Sequence, residues 1–254
     1  MRETAAQRPP RVYVPDLAER RGSFEENREI LLSKDERAHV RSRRLRDGDE
    51  VVALDGLGVR ARARLMGGGS ALSLVSFEAS PSSTSLLPGE PENRVTVALA
   101  CAEPARVEWA VEKGTECGAA GFVLLACERS QRAHVTALSS PARLARLRRI
   151  AVEATKQCDR TLVPFVEGPK SIEEFLRRVS GHQAFFVLSP SGGVAVRLPA
   201  GGDLVAAVGP EGGFAPGEIS SFAEISPTFL SLGPRILRFE TAVVAALSRL
   251  VDGR

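Results

Sequence analysis

Apolar positions along the chain follow two different rhythms, and the change from one to the other divides it. Up to about residue 80 the dominant period is two. Arg11–Val14 alternates polar and apolar residues, Glu50–Leu54 (EVVAL) runs into Asp55-Gly56, and Val59–Leu65 (VRARARL) alternates again. Successive side chains on a strand point to opposite faces, so this alternation predicts half-buried strands, with Asp-Gly marking a hairpin. Another strand is predicted over Leu72–Phe77, behind the Gly67-Gly68-Gly69 turn. One short helix is predicted around Lys34–Arg41, opened by Ser33 with Glu36 three positions on as a capping box. These elements describe a small β-rich domain over residues 1–81. Residues 82–94 (SSTSLLPGEPENR) are rich in Ser, Pro and Gly, show no periodicity, and read as a linker.

From residue 95 the pattern switches between two periods. Val95–Ala100, Gly121–Ala126, Ala184–Leu188 and Leu204–Val208 are continuous apolar runs of the kind that form strands buried on both faces. Leu162–Val166 and Thr228–Leu232 are predicted as further short strands. Between them lie helical stretches. Pro104 opens one through Val107, Ala110, Val111 and Gly114, stopped by Gly118. Ser140-Pro141 opens a second, with Leu144, Leu147, Ile150 and Ala154 on one face and arginines on the other. Ser171 with Glu174 caps a third, another is predicted near Pro216-Gly217-Glu218, and Glu240–Val251 forms the last. Strands and helices in alternation predict an α/β domain over residues 95–254, a mostly parallel sheet with helices on both faces.

Composition adds little to this picture, but charge distribution does. Net charge is only +3, yet residues 129–160 hold eight cations (Arg129, Arg132, Arg143, Arg146, Arg148, Arg149, Lys156 and Arg160) against Glu153 and Asp159. Such a cluster is either a phosphate-facing surface or the solvated face of an arginine-rich helix. Cys101, Cys117, Cys127 and Cys158 have no CxxC spacing and lie in apolar or helical stretches, so they read as reduced core thiols. No metal site is expected. An amino terminus without an apolar segment, and no run of membrane-spanning length, make the cytoplasm the expected location.

In parallel α/β sheets ligands bind beyond the carboxyl ends of the strands, so the loops there carry the chemistry. Gly209-Pro210-Glu211-Gly212-Gly213 follows the strand LVAAV. Its glycines let backbone amides approach a ligand closely. It has neither the Lys-Ser/Thr of a Walker loop nor the spacing of a dinucleotide fingerprint. Glu211 argues against an anion, and a neutral or cationic ligand held by backbone groups fits better. Gly233-Pro234-Arg235-Ile236-Leu237-Arg238 follows the strand at 228–232. There, two arginines flank two apolar residues, a pattern able to cover a flat ring while reaching for phosphate.

Together these loops, GPEGGF and then LGPRILRFETA, resemble the signature of the RsmE-type family of ribosomal RNA small-subunit methyltransferases, within the SPOUT class. EKGTECGA at 112–119 resembles the family's helix end E-K-x-T-E-L-G-V, with Cys117 where Leu is usual. EATKQCDR at 153–160 resembles its E-A-x-x-Q-S-x-R segment, with Cys158 in place of Ser. Before residue 80 the match is weaker. RVYV at 11–14, His39, Arg44 and Gly48-Asp49 are similar to the pattern of a PUA-like RNA-binding domain, but HVRSRRLR is one residue short and carries Ser42-Arg43 where an apolar pair is usual.

The resemblance implies a knotted, SPOUT-type parallel sheet, S-adenosylmethionine as methyl donor, and methylation of uridine N3 in 16S ribosomal RNA of the small subunit. It also implies a homodimer, for which Val107/Val111 and Val243/Ala246/Leu247/Leu250 are candidate contact faces, although core packing explains those faces equally well. Leu188, Gly209, Glu211, Gly212, Leu232, Gly233, Ile236 and Leu237 are then the expected donor-binding residues. Arg235 and Arg238 are expected to hold the uridine or its phosphates, with Glu240 either a proton acceptor or a helix cap. Arg11, Arg44, Gln157 and Arg160 are expected to face RNA. Lys113 and Glu116 are expected to form an ion pair. Two other readings stay open: a SPOUT methyltransferase acting on transfer RNA, and a non-catalytic RNA-binding protein.

Overall fold

The computed structural model describes residues 8–20, 29–79, 87, 89–179, 181–193, 198–199 and 201–252. They form two compact units, one of residues up to Glu90 together with Thr155–Leu162, the other of Pro91–Ala154 and Val163 onward. Much of the stretch expected as a linker lies outside the described residues. Residues 155–162, placed by sequence in the second domain, group with the first.

In the first unit β1 (Arg11–Tyr13), β2 (Ile30–Leu31), α1 (Lys34–Ser42), β3 (Glu50–Leu54), β4 (Arg60–Met66) and β5 (Ala71–Ala79) follow one another. Their sheet has the order β1-β3-β4-β5-β2, with β1 parallel to β3 and the other pairs antiparallel. The period-two reading holds along β4, where Ala61, Ala63 and Leu65 are buried while Arg62 and Arg64 point to water. Arg62 pairs there with Glu78 and Arg64 with Glu50. Val12, Ile30, Val40, Val51 and Leu72 join the buried face of the sheet in one core. Ser33 caps α1 by accepting a hydrogen bond from the Glu36 amide at 3.2 Å. The Glu36 carboxylate is buried against Lys156, whose Nζ lies 2.7 Å away.

The second unit contains β6 (Arg94–Ala100), α2 (Pro104–Glu116), β7 (Ala119–Leu125), α3 (Arg132–Leu138), α4 (Pro141–Cys158, its last turn in the first unit), β8 (Phe165–Lys170), α5 (Ile172–Val179), β9 (Ala184–Gly193), β10 (Asp203–Val208), α6 (Pro216–Ala223), β11 (Thr228–Leu230) and α7 (Phe239–Leu250). All six strands are parallel, in the order β11-β9-β10-β6-β7-β8. Consecutive residues of β6 and β10 are buried, which requires cover on both faces because neighbouring side chains point opposite ways. Helices α2 and α7 pack together on this sheet. Val107, Val111, Val243, Ala246, Leu247 and Leu250, expected as candidate subunit contacts, are all buried within that packing. The core of the single chain consumes those faces.

Local signals were read well where capping chemistry was complete. At α5, Ser171 and Glu174 form the full reciprocal box, with bonds of 2.9 and 3.2 Å. Lys113 pairs with Glu116, as expected, and with Glu112, both at 2.8 Å. The short extended stretch expected at 162–166 forms its strand a few residues later, at Phe165–Lys170. No helix among the described residues is long and apolar enough to cross a membrane.

All four cysteines are free thiols. Burial pushes Cys101 up to about 12 and raises Cys127 further, because an apolar interior disfavours the thiolate. Titration of the native protein with a thiol-specific disulfide reagent at pH 8 should therefore label the half-buried Cys117 and Cys158 first. Cys101 and Cys127 should react only on unfolding, and fast labelling of either would contradict this packing.

Candidate active site

The parallel sheet reverses its winding between β6 and β10. From β6 the chain goes through α2 to β7 on one side, whereas from β10 it goes through α6 to β11 on the other. The connections diverge and leave a crevice beyond the carboxyl ends of these two neighbouring strands. Gly209, Glu211 and Gly212 stand directly after β10. Leu188 belongs to β9, the next strand, and Leu232 and Gly233 follow β11, which pairs with β9. Sheet order thus brings the two glycine-bearing loops to the same end of the sheet, after β10 and β11, with β9 between them.

The local geometry of these loops explains their residue types. Gly213 and Gly233 adopt φ of +71° and +105°, a region that disfavours side chains. At Gly209 an added Cβ would stand 3.1 Å from the Phe214 ring, which packs edge-on against Phe222 and wedges the loop onto the core. Gly212 is different: a Cβ there would meet only Arg129 Cδ, at an ordinary 3.5 Å. Leu188 and Leu232 are half-buried and pack on the core, so each offers an apolar surface at the loop bases. Beside Leu232 lies an open depression of about 330 Å3, completed by Ala245, Ser248 and Arg249. Arg249 Nη1 donates to the Ser231 carbonyl at 3.0 Å and steadies the start of the second loop. Arg235, Ile236 and Arg238 are exposed at its tip, Ile236 to 94%.

One guanidinium joins both loops. Arg106, in the first turn of α2, donates from Nε to the Glu240 carboxylate at 2.8 Å, with Nη2 also 2.8 Å from the same oxygen, and from Nη1 to Glu211. Burial works to raise the Glu240 carboxyl. Its own backbone amide, Arg106 and the nearby Arg238 outweigh that and hold it below the usual carboxylate range. Position in the first turn of α7 adds the favourable end of the helix dipole. Glu240 is therefore held as a carboxylate that anchors Arg106. Arg129 holds the first loop from a second direction, donating to the Gly212 carbonyl at 2.5 Å. A third tie comes from Glu218 of α6, which accepts from the amides of Ala215 and Glu128 at 2.7 and 2.8 Å.

The residues expected to face RNA divide into two kinds. Arg44 and Gln157 are exposed, Arg44 in a left-handed turn at φ +56°. Arg11 and Arg160 are not on the surface, which corrects the expectation for both. Arg11 is buried, pairs with Asp159 and donates to the Lys156 carbonyl at 2.8 Å. Arg160 is 3% exposed and holds Glu90 at 2.7 Å. The Glu90 carboxylate in turn accepts from the Thr161 and Leu162 amides. Four of the eight cations of the basic run at 129–160 likewise pair with distant acids. Arg143 and Arg146 share Glu108, Lys156 takes Glu36, and Arg160 takes Glu90.

Sequence reasoning missed Arg106, Arg129 and Glu218. Their only local signal is position, each lying in the loop or first helical turn beyond a strand of the switch-point side. Among the described residues no cluster of three His, Cys, Asp or Glu side chains is arranged to hold a metal ion.

Comparison with known proteins places this site in context. Residues 89–251 match the model of the RNA methyltransferase domain family. The ribosomal RNA small subunit methyltransferase E of Mycobacterium bovis is 32% identical over 233 residues, covering 85% of this chain and 84% of its own. The Bacillus subtilis protein of the same name is 28% identical over 222 residues, covering 82% and 83%. Among solved structures, a ribosomal RNA small subunit methyltransferase E from Neisseria gonorrhoeae, crystallised with S-adenosyl methionine, superposes with a TM-score of 0.79. It is 24% identical and the match covers 94% of this chain and 95% of that one, so the two share a fold over nearly their whole length.

Proposed function

The chain belongs to the ribosomal RNA small subunit methyltransferase E family, and on that premise we propose that it transfers a methyl group from S-adenosylmethionine to N3 of a uridine in 16S ribosomal RNA. The observation that carries this reading is the convergence of the GPEGG and GPRILR loops at the switch-point end of the parallel sheet. Glycine backbone at 209, 212 and 233 lies beside the half-buried Leu188 and Leu232. That combination fits a donor with a flat, weakly polar ring and a cationic centre, held by backbone groups and apolar contact. Leu237 and Ile236 extend the apolar surface on the rim.

The donor supplies a methyl carbon bonded to a sulfonium. In the transfer the N3–carbon bond forms as the sulfur–carbon bond breaks, and the N3 proton leaves. Holding N3, carbon and sulfur in line is chiefly a positioning task, which the rigid loop bases serve. An imide nitrogen becomes nucleophilic as its proton departs, and negative charge then spreads to the uracil oxygens. Arg235 and Arg238, exposed in the second loop, would stabilise that charge or hold the flanking phosphates. Glu240 has a positioning role through Arg106. The knotted connection and the homodimer implied by family resemblance belong to the same reading, as does a cytoplasmic location. The subunit contact has to use surface other than the buried faces of α2 and α7.

The test is to incubate the protein with methyl-labelled S-adenosylmethionine and isolated small ribosomal subunits, then digest the RNA and identify the labelled nucleoside. Label in N3-methyluridine at one site is the expected result. Label only in a parallel incubation with transfer RNA, or donor binding without transfer to either RNA, would overturn the assignment.

A further inference from the structure

We propose that Arg106 is a positioning residue that sets the spacing of the two donor loops and so determines donor affinity. The inference rests on the reading of those loops as the S-adenosylmethionine site. Its basis is a bridge across the switch-point crevice. The residue comes from the β6 side, through the first turn of α2, while Glu211 belongs to the loop after β10 and Glu240 to the helix start after GPRILR.

The two halves of the bridge differ in character. Glu240 is 18% exposed and its Oε2 accepts from Arg106 Nε with Nη2 also 2.8 Å away, so that half is a sheltered, charge-assisted contact. Glu211 is 73% exposed, in the loop whose glycines are assigned to the donor. A planar guanidinium has several donors in a fixed fork and can hold two carboxylates at a set separation, which an ammonium on a flexible stem cannot reproduce. Removing the fork leaves the Glu211 and Glu240 carboxylates without the cation between them, so their mutual repulsion is no longer offset. Arg129 steadies the first loop through the Gly212 carbonyl but makes no contact with the second. Among the described residues, Arg106 is the side chain that ion-pairs with both the loop after β10, through Glu211, and the helix that follows the second loop, through Glu240.

The experiment measures binding of S-adenosylmethionine and of S-adenosylhomocysteine by calorimetry, with thermal melting recorded for every variant. Arg106→Ala is expected to weaken both ligands at least about tenfold, an energy on the scale of a lost charge-assisted contact. Arg106→Lys should fall between the parent and Arg106→Ala. In turnover the loss should appear in the donor KM, with kcat at saturating donor within about threefold of the parent, the pattern of a lost binding contribution. In a Glu211→Gln/Glu240→Gln background Arg106→Ala should cost less than about twofold more, because the side chain acts through those two carboxylates. Should Arg106→Ala fail to fold, Arg106→Gln and Arg106→Lys carry the same comparison. Donor affinity unchanged in Arg106→Ala, or its full effect persisting without the carboxylates, overturns the proposal. Gly212→Val is run alongside. If that variant also binds the donor normally, the loops are not the donor site and the underlying reading fails. If it loses binding while Arg106→Ala retains it, only the role of Arg106 fails.

Discussion

Gly212→Val is expected to lose S-adenosylmethionine affinity by at least about a hundredfold, close to 2.7 kcal/mol, while the protein stays folded. Position 212 separates folding from binding better than the neighbouring glycines do. Gly213 and Gly233 need their positive φ, and Gly209 has the Phe214 ring at 3.1 Å, so a side chain at any of these disturbs the loop itself. Gly212 has no left-handed backbone, and its added Cβ would touch only Arg129 Cδ at 3.5 Å. The carbonyl that Arg129 uses is retained. Branching at Cβ would then fill the space a ligand needs to reach the backbone. Melting within about 3 °C of the parent, equivalent to roughly 1 kcal/mol in a chain of this size, should accompany the loss. Calorimetric titration with the donor decides the matter: a variant that binds within threefold of the parent would remove the GPEGG loop from the donor site.

The largest stability effect is expected far from the chemistry. Lys156 and Glu36 are 3% and 6% exposed, and their charges meet at 2.7 Å. Glu36→Ala leaves the ammonium buried without its carboxylate, and changes of this kind cost about 3–5 kcal/mol. That is a large share of the roughly 5–15 kcal/mol by which a domain is stable. Replacing both partners with apolar residues of similar volume, Glu36→Leu with Lys156→Met, should recover most of the loss because neither charge then has to be desolvated. Denaturant titrations of the single and double variants test this. A Glu36→Ala midpoint indistinguishable from the parent would mean that the pair is not buried in solution.

What could be read from the sequence depended on how local the cause was. The alternation of Arg60–Met66 is a property of one strand, and the Ser171–Glu174 box closes within a single turn, so both were legible. Helix α3 at Arg132–Leu138 was not. It has no capping side chain and only Leu138 is buried, which leaves no apolar stripe to detect. The GPEGG and GPRILR loops stood out because glycine and proline mark backbone needs directly. The charges that complete the site did not, since Arg106 finds Glu211 and Glu240 across 105 and 134 residues. The same distance effect misled the reading of Arg11 and Arg160. A run of cations looks like a surface until the acids that pair with four of its members, Glu36, Glu90 and Glu108, arrive from elsewhere in the chain.

The return of Thr155–Leu162 to the first unit bears on the order in which the protein can fold during synthesis. That unit is discontinuous: Arg11 bonds to the Lys156 carbonyl, Glu36 meets Lys156, and Glu90 accepts from Arg160, Thr161 and Leu162. A nascent chain that has just finished residue 90 lacks all of these partners. At about 5–20 residues per second, the ribosome needs on the order of several seconds more to make residues 91–162. Through that interval Glu36 and Glu90 lack the cations they pair with in the finished unit, so its completion waits on translation of residues 155–162.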